Sequence, residues 1–337
     1  MPQLRSEYVS SLYGLVADIG GTHVRFAIVD PKTGVPDIAS LKIYTTKDHS
    51  DITAAARVYL SQHGLASPCA VVFAVAGPVT DGEIRLTNAG WHIRESDLRN
   101  NLKTHNAHLV NDFEALAMAV PALAKKDSLK PLGGPVFDAT KDGIIAIVGP
   151  GTGLGVGGAV RKDSQFIALV TEGGHAAFAP SDGVEIQVLE FLAKRFGRVS
   201  NERILSGPGM SNLYSALCVI EGRIATDTTP EAITKAAREK LDSFEAKVFA
   251  RFCAILGAVA GDVALTMGAR NGVLIGGGIL PDAVEVFVKS EFRARFEAKA
   301  RFTDYMKAIP TLLIADPHAG LIGAGAILAR NAHQGDQ

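Results

Sequence analysis

Two stretches decide the fold of this chain: Asp18-Ile19-Gly20-Gly21-Thr22 and Gly149-Pro150-Gly151-Thr152-Gly153-Leu154-Gly155. Each glycine turn stands between two apolar runs, which is the pattern of strand, turn and strand written twice. Glycine lets backbone N–H groups approach a phosphate with no Cβ in the way, and threonine adds a hydroxyl donor. One such turn is equally typical of a hairpin without a ligand, but two of them favour a nucleotide bound by both.

The common nucleotide-binding motifs do not fit these turns. A Walker loop needs a Lys-Ser or Lys-Thr pair after its glycines, and neither turn has one. A dinucleotide fingerprint needs a helix after its turn, whereas Val24 to Val29 is a continuous β-type run.

Length and composition limit the possible classes of protein. At 337 residues the chain exceeds what one hydrophobic core usually supports, so two domains are expected. A net charge of −1 argues against a nucleic-acid or anionic-membrane partner. The three widely spaced cysteines suit a reducing compartment, predict no zinc cluster and are interpreted as buried apolar residues.

No targeting or membrane segment is evident in the sequence. Met1 to Ser11 contains no apolar core, so no signal peptide is predicted. The long apolar stretch from Val248 to Met267 carries Arg251 and Asp262, which indicates a buried helix and not a membrane span. A cytoplasmic protein is therefore expected.

Local patterns predict alternating strands and helices. The predicted strands are Leu15–Ile19, Val24–Val29, Leu41–Thr45, Ala70–Val75, Glu83–Leu86, Ala107–Val110, Ile144–Val148, Val156–Val160, Phe166–Val170, Val273–Ile275 and Thr311–Ile314. The predicted helices are Ile52–Gln62, Glu95–Leu102, one from Asp112 or Phe113 to Val120 before Pro121, one around Val188–Phe196 ending at Gly197, one starting at Thr229-Pro230, and Ala319–Ala332. Lys125 to Lys141 is predicted to be a loop, and the repeated glycine hairpin suggests two related halves.

Six motifs together resemble one family. They are Asp18 to Thr22, Leu109-Val110-Asn111-Asp112-Phe113, Gly149 to Gly155, Glu172-Gly173-Gly174-His175, Glu202 to Gly209, and Gly276-Gly277-Gly278-Ile279. They stand in the order seen in bacterial glucokinases, and the chain resembles the ATP-dependent branch of that family along nearly its whole length. The neighbouring ROK kinases and repressors share some motifs, but their zinc-binding cysteine cluster and DNA-binding helix-turn-helix have no counterpart in this sequence.

The resemblance implies an architecture. It is an α/β, two-lobe, actin-like ATPase fold of the ribonuclease H-like kind, with a cleft between a small and a large domain that closes on sugar. The small domain is expected at residues 1–111, completed by a C-terminal helix at 319–337, and the large domain at 112–318. A homodimer is also implied.

Asp112 is the candidate general base. It follows the predicted strand Ala107–Val110 near a helix start, where a fixed carboxylate can take the proton from a sugar 6-hydroxyl. Spacing alone leaves open that Asp112 is only a helix N-cap and Asn111 a turn residue. The resemblance favours the catalytic role.

The resemblance also implies a set of sugar-binding residues: Asn111, Asp112, Glu172, His175 and Glu202. Their residue types suit a pyranose, because each sugar hydroxyl both donates and accepts hydrogen bonds. Asn88 is compatible with a place in the cleft and with a surface turn.

The nucleotide and its metal ion involve the glycine motifs. Phosphate is expected to contact Gly20, Gly21, Thr22, Gly151, Thr152 and Gly153. Asp18 is expected to hold Mg²⁺ through water, although a turn-closing role is open. Gly276 and Gly277 are expected beside adenine and ribose, with a tight strand–helix turn as the alternative for Gly277.

The function implied is ATP-dependent phosphorylation of D-glucose to glucose 6-phosphate. Two alternatives remain: a kinase for another hexose, mannose or fructose, and a non-catalytic sugar sensor on the same fold. Asp112 distinguishes the classes, because a sensor needs no base beside the 6-hydroxyl.

Overall fold

The computed structural model describes residues 12–86, 89–126, 128–226 and 228–335. The described strands are β1 Gly14–Ile19, β2 His23–Val29, β3 Pro36–Thr45, β4 Ala70–Val75, β5 Glu83–Leu86, β6 Trp91–Arg94, β7 Asn106–Asn111, β8 Leu129–Gly133, β9 Gly143–Pro150, β10 Leu154–Lys162, β11 Gln165–Val170, β12 Gly272–Ile275 and β13 Thr311–Ile314. The described α-helices are α1 Ile52–Gln62, α2 Glu95–Leu102, α3 Asp112–Lys125, α4 Gly183–Phe196, α5 Gly207–Ile220, α6 Pro230–Glu239, α7 Phe244–Met267, α8 Val284–Val288, α9 Phe292–Glu297, α10 Thr303–Lys307 and α11 Ala319–Gly335.

The chain forms two compact units. The first contains Met1–Lys126 with Asp316–Gln337, and the second contains Asp127–Ala315. The sequence placed the first boundary after Asn111, but the compact unit extends to Lys126. The reason is that α3 packs along α11, so both helices belong with the first sheet.

The first unit is built on a five-stranded sheet in the order β3-β2-β1-β4-β7. β1 pairs antiparallel with β2 and parallel with β4, and β4 pairs parallel with β7. Every residue of β1 is buried except Asp18, which is partly exposed. The aromatic core centres on Phe26, whose ring lies 5.4 Å from Tyr59 and 5.8 Å from Phe73.

The second unit repeats this topology. Its sheet order is β11-β10-β9-β12-β13-β8, with β9 antiparallel to β10 and parallel to β12. Three antiparallel strands followed by two parallel ones therefore occur in both sheets, and β8 is added at one edge. Each predicted glycine turn joins the first two strands of its sheet, which confirms the two related halves.

The long apolar helix α7 belongs to the core of the second unit. Among the described residues it is the helix long and apolar enough to cross a membrane, yet 72% of its most apolar 18-residue segment is buried inside the protein. Its Arg251 lies 3.3 Å from Glu185, and its Asp262 lies 2.5 Å from Lys299. The prediction of a buried helix is confirmed. Cys218 and Cys253 are buried as expected, whereas Cys69 is only partly buried.

Two predictions about local structure are wrong. Pro121 does not end its helix: α3 continues to Lys125, because its apolar face packs on α11. The predicted loop after Lys125 contains β8, which pairs antiparallel with β13. Pro131 is tolerated there because β8 is an edge strand, where one side needs no ladder hydrogen bonds.

Candidate active site

Asn111 and Asp112 lie where β7 of the first unit ends and α3 begins. The side-chain oxygen of Asn111 accepts a hydrogen bond from Phe113 N at 2.9 Å, and its Nδ2 donates to the Gly77 carbonyl at 3.0 Å. Asn111 is thus the N-cap and Asp112 the first helical residue, which corrects the alternative that Asp112 is the cap. Asp112 Oδ1 accepts from Phe113 N at 3.1 Å. The positive end of α3 favours an ionised carboxylate at this position.

Glu114, one turn into α3, is a carboxylate that sequence reasoning missed. Burial raises its pKa, while Arg330 and the backbone amide of Asn111 act in the opposite direction. The spacing Asn111-x-x-Glu114 is that of a capping box, and this signal could have revealed it. The N-cap residue before Asp112 is therefore fixed by the Gly77 carbonyl and by Glu114.

The first glycine turn contains Asp18, beside which Arg25 lies on the neighbouring strand. Arg25 Nη1 and Asp18 Oδ2 are 2.9 Å apart, and 23% of the Asp18 side chain is exposed. Gly320, the second residue of α11, lies so close that a Cβ on it would come within 3.2 Å of the Asp18 carboxyl carbon. The ion pair gives Arg25 a structural role beside Asp18.

The turn itself is held by Thr46, a buried residue just beyond β3. Its backbone N–H donates to the Thr22 carbonyl at 2.9 Å, and its hydroxyl donates to the Gly21 carbonyl at 3.2 Å. The Gly20 N–H donates to the His23 carbonyl at 2.9 Å. The carbonyls of Gly21, Thr22 and His23 are therefore engaged by protein, while the Thr22 side chain is exposed.

The second glycine turn adjoins a helix start. Gly151 N donates to the Gly153 carbonyl at 2.8 Å, which closes a three-residue loop between β9 and β10. Gly207 N, at the beginning of α5, donates to the Gly151 carbonyl at 2.8 Å. The amino end of a helix carries positive partial charge, so its place beside this turn suits an anion.

The third glycine motif lies against the second. Gly276 N donates to the Val148 carbonyl at 2.9 Å, and Gly277 has a φ of 89° with the Pro150 carbonyl where a Cβ would stand. The positive φ and the blocked Cβ position give Gly277 a structural reason, as its alternative allowed. Gly278 has open space where its Cβ would be, and its nitrogen is 3.9 Å from the Cβ position of Gly151.

The three predicted sugar-binding residues of the second unit come together. The ring nitrogens of His175 lie 3.8 Å from Glu172 Oε2 and 3.9 Å from Glu202 Oε1. The exposed fractions of the side chains are 60% for Glu172, 57% for His175 and 31% for Glu202. The two carboxylates can accept hydrogen bonds from sugar hydroxyls, and the imidazole between them can donate one, at the same place.

Short backbone contacts create this cluster. Phe178 N donates to the Val199 carbonyl at 3.0 Å, and Asn201 N donates to the Ala176 carbonyl at 2.9 Å. These two bonds bring His175 beside Glu202. The Ser206 hydroxyl, which caps α5, donates to the Glu202 carbonyl at 2.8 Å and fixes the next turn.

Magnesium would have to use few protein ligands. Among the described residues, no group of three or more His, Cys, Asp or Glu side chains could hold a metal ion. Mg²⁺ bound with a nucleotide often keeps most of its waters and takes one or two carboxylates, so the partly exposed Asp18 fits it. The Arg25 pair engages one of the two carboxylate oxygens of Asp18.

Comparison with known proteins identifies the family. A family model described as Glucokinase matches residues 15–331. The glucokinase of Caulobacter sp. strain K31 is 47% identical over 315 residues, which cover 94% of each chain. The chain belongs to the glucokinase family.

Solved structures of glucokinases share its fold. The glucokinase of an Antarctic psychrotroph is 33% identical and has a TM-score of 0.82, with 95% of this chain and 100% of that chain covered. The glucokinase of Balamuthia mandrillaris, solved with glucose, is 20% identical with a TM-score of 0.80 and 97% of each chain covered. Asn88 lies outside the described residues.

Proposed function

We propose that this chain transfers the terminal phosphoryl group of ATP to the 6-hydroxyl of D-glucose, with Asp112 as the general base. The activity, ATP-dependent phosphorylation of glucose by a glucokinase, follows from membership of the family. The assignment of residues is the proposal.

The role of Asp112 rests on its position at the start of α3. A general base has to be ionised before it can accept the hydroxyl proton, and a helix N-terminus favours that state. Asn111 fixes the backbone beside it through two hydrogen bonds. As the proton leaves the 6-hydroxyl, the oxygen becomes able to attack the phosphorus, and ADP departs.

Sugar recognition is assigned to Glu172, His175 and Glu202, together with Asn111 and Asp112. The single observation that carries the proposal is the cluster in which His175 lies within 4 Å of both carboxylates. A site built from such groups rejects an analogue that lacks a hydroxyl, because a polar group would then lose its partner.

Phosphate binding is assigned to both glycine turns: Gly20, Gly21 and Thr22 in one unit, and Gly151, Thr152 and Gly153 in the other. The helix start at Gly207 supports the second assignment. Gly276 and Gly277 are assigned to the nucleoside, and the open space at Gly278 adds that residue. Mg²⁺ bound near Asp18 would neutralise phosphate charge.

The proposal extends to cellular setting and assembly. We place the enzyme in the cytoplasm, in glycolysis, as a homodimer, as the resemblance to bacterial glucokinases implies. Light scattering on the purified protein should then give twice the chain mass of 35.4 kDa. A mass equal to one chain at working concentration would contradict the dimer.

A coupled assay that detects ADP, with Mg²⁺ and a panel of glucose, mannose and fructose, tests the function. We expect the highest kcat/KM with glucose. A higher value with mannose or fructose would favour the other-hexose alternative. Binding of glucose without turnover of any hexose would favour the sugar sensor.

A further inference from the structure

The two carboxylate oxygens of Glu202 face two different parts of the second unit. Oε1 lies 3.9 Å from His175 Nδ1 in the sugar-binding cluster. Oε2 accepts a hydrogen bond from Leu154 N at 3.0 Å, and Leu154 directly follows the three-residue loop Gly151–Gly153 of the second glycine turn. One side chain thus contacts both the groups assigned to sugar and the backbone assigned to phosphate.

The absence of a side chain at Gly153 gives Glu202 its place. A Cβ on Gly153 would stand 2.5 Å from Glu202 Oε2, closer than real Cβ atoms come to an oxygen. Gly151, on the other side of Thr152, has room for a side chain, because the nearest contact of a Cβ there would be Gly278 N at 3.9 Å. Neither glycine has a positive φ, so alanine strains the backbone at neither position.

We propose that Glu202 is a positioning residue for the second glycine turn as well as a sugar ligand, and that it couples the two sites. This inference rests on the proposed function. Sugar hydroxyls that donate to Glu202 compete with Leu154 N for the charge of the same carboxylate. Sugar binding therefore alters the hold of Glu202 on the turn, and a nucleotide on the turn alters the affinity for sugar by the same factor, as linkage requires.

The coupling predicts that Gly153, a residue of the turn assigned to phosphate, affects the affinity for sugar. In Gly153→Ala the new methyl group displaces the Glu202 carboxylate. In Gly151→Ala the carboxylate keeps its place. Each variant adds one methyl group to the same three-residue loop, so the two form a matched pair.

Calorimetric titration with glucose, in the absence of nucleotide, tests the proposal. We expect the Kd for glucose to rise about tenfold in Gly153→Ala, the size expected when a hydrogen bond to a charged group is lost. In Gly151→Ala the Kd should stay within about twofold of wild type. In a Glu202→Ala background, Gly153→Ala should have no further effect, because its target is gone.

The possible outcomes separate this inference from the proposed function. An unchanged glucose Kd in Gly153→Ala, or equal losses in both alanine variants, would overturn the coupling. Failure of the wild-type protein to bind or phosphorylate glucose would instead overturn the proposed function.

A second pair of variants covers the case in which Gly153→Ala does not fold. Glu202→Gln keeps the shape of the side chain but replaces the charged acceptor of the Leu154 N–H by a weaker, neutral one. The turn is then positioned less firmly, so the affinity for MgADP without sugar should fall. Glu172→Gln, which makes no described contact with the turn, should leave that affinity unchanged. Equal MgADP affinities in the two glutamine variants would overturn the coupling.

Discussion

Replacing Asn111 with alanine should destabilise the first unit and slow catalysis. The substitution removes the cap bond to Phe113 N, worth about 1 kcal/mol. It also removes the bond from Nδ2 to the Gly77 carbonyl, worth about another 1 kcal/mol. We therefore expect the free energy of unfolding of this unit to fall by about 2 kcal/mol. We expect kcat/KM for glucose to fall too, because Asp112 loses its fixed neighbour.

Asp51→Ala is the matched control for this experiment. Asp51 caps α1 in the same unit through one bond to Ala54 N at 2.8 Å, and its other carboxylate oxygen accepts from the hydroxyl of the adjacent exposed Ser50 at 3.1 Å. Its loss should cost about 1 kcal/mol and leave kcat/KM unchanged.

Urea unfolding followed by the fluorescence of Trp91 reports on this unit, since Trp91 is the single tryptophan of the chain and is buried in the first unit. A stability of Asn111→Ala equal to or above that of Asp51→Ala would show that the bond to Gly77 contributes nothing. A wild-type kcat/KM in Asn111→Ala would show that Asn111 does not position Asp112.

Two further predictions concern the third glycine motif and the helix beside Asp112. Gly277→Ala should lower both the stability of the second unit and the affinity for MgADP, because its Cβ would collide with the Pro150 carbonyl. Gly278→Ala, whose Cβ would stand in open space, should keep full stability. Equal melting temperatures for the two variants would contradict this prediction. Burial raises the pKa of Glu114 above its ordinary value of 4.5, so the native state binds this proton more tightly than the unfolded chain does, and stability should fall as pH rises from that value through the raised pKa. Glu114→Gln should therefore show a flatter dependence of stability on pH than wild type in that window, and an unchanged slope would argue against it.

Local patterns were sufficient for the glycine hairpins and for every described strand except β6 and β8. The alternation of apolar runs and glycine turns needs only neighbouring residues to be read, and Thr229-Pro230 and Gly197 mark helix ends through their own backbone preferences. The same local reasoning ended α3 too early at Pro121, because it could not include the packing of α3 on α11. It missed β8 because the partner strand β13 is far away in sequence.

The site shows the same limit. Its residue types were readable from the motifs, but their contacts were not. Glu202 meets Leu154 across 48 positions of chain and reaches His175 only through the backbone pairing of the segments that carry them. The cap at Asn111 could have been predicted from the sequence, since Asn followed by Glu three positions later is a helix-start signal.

If Asp112 acts as the general base, Asp112→Asn should abolish most of the turnover. The amide keeps the size of the side chain but cannot accept the proton in the transition state. Turnover of glucose with Mg-ATP should be measured beside the calorimetric affinities for glucose and for MgADP. We predict that kcat falls by about 10²–10⁴-fold while the affinity for MgADP is retained. A kcat within threefold of wild type would contradict the account.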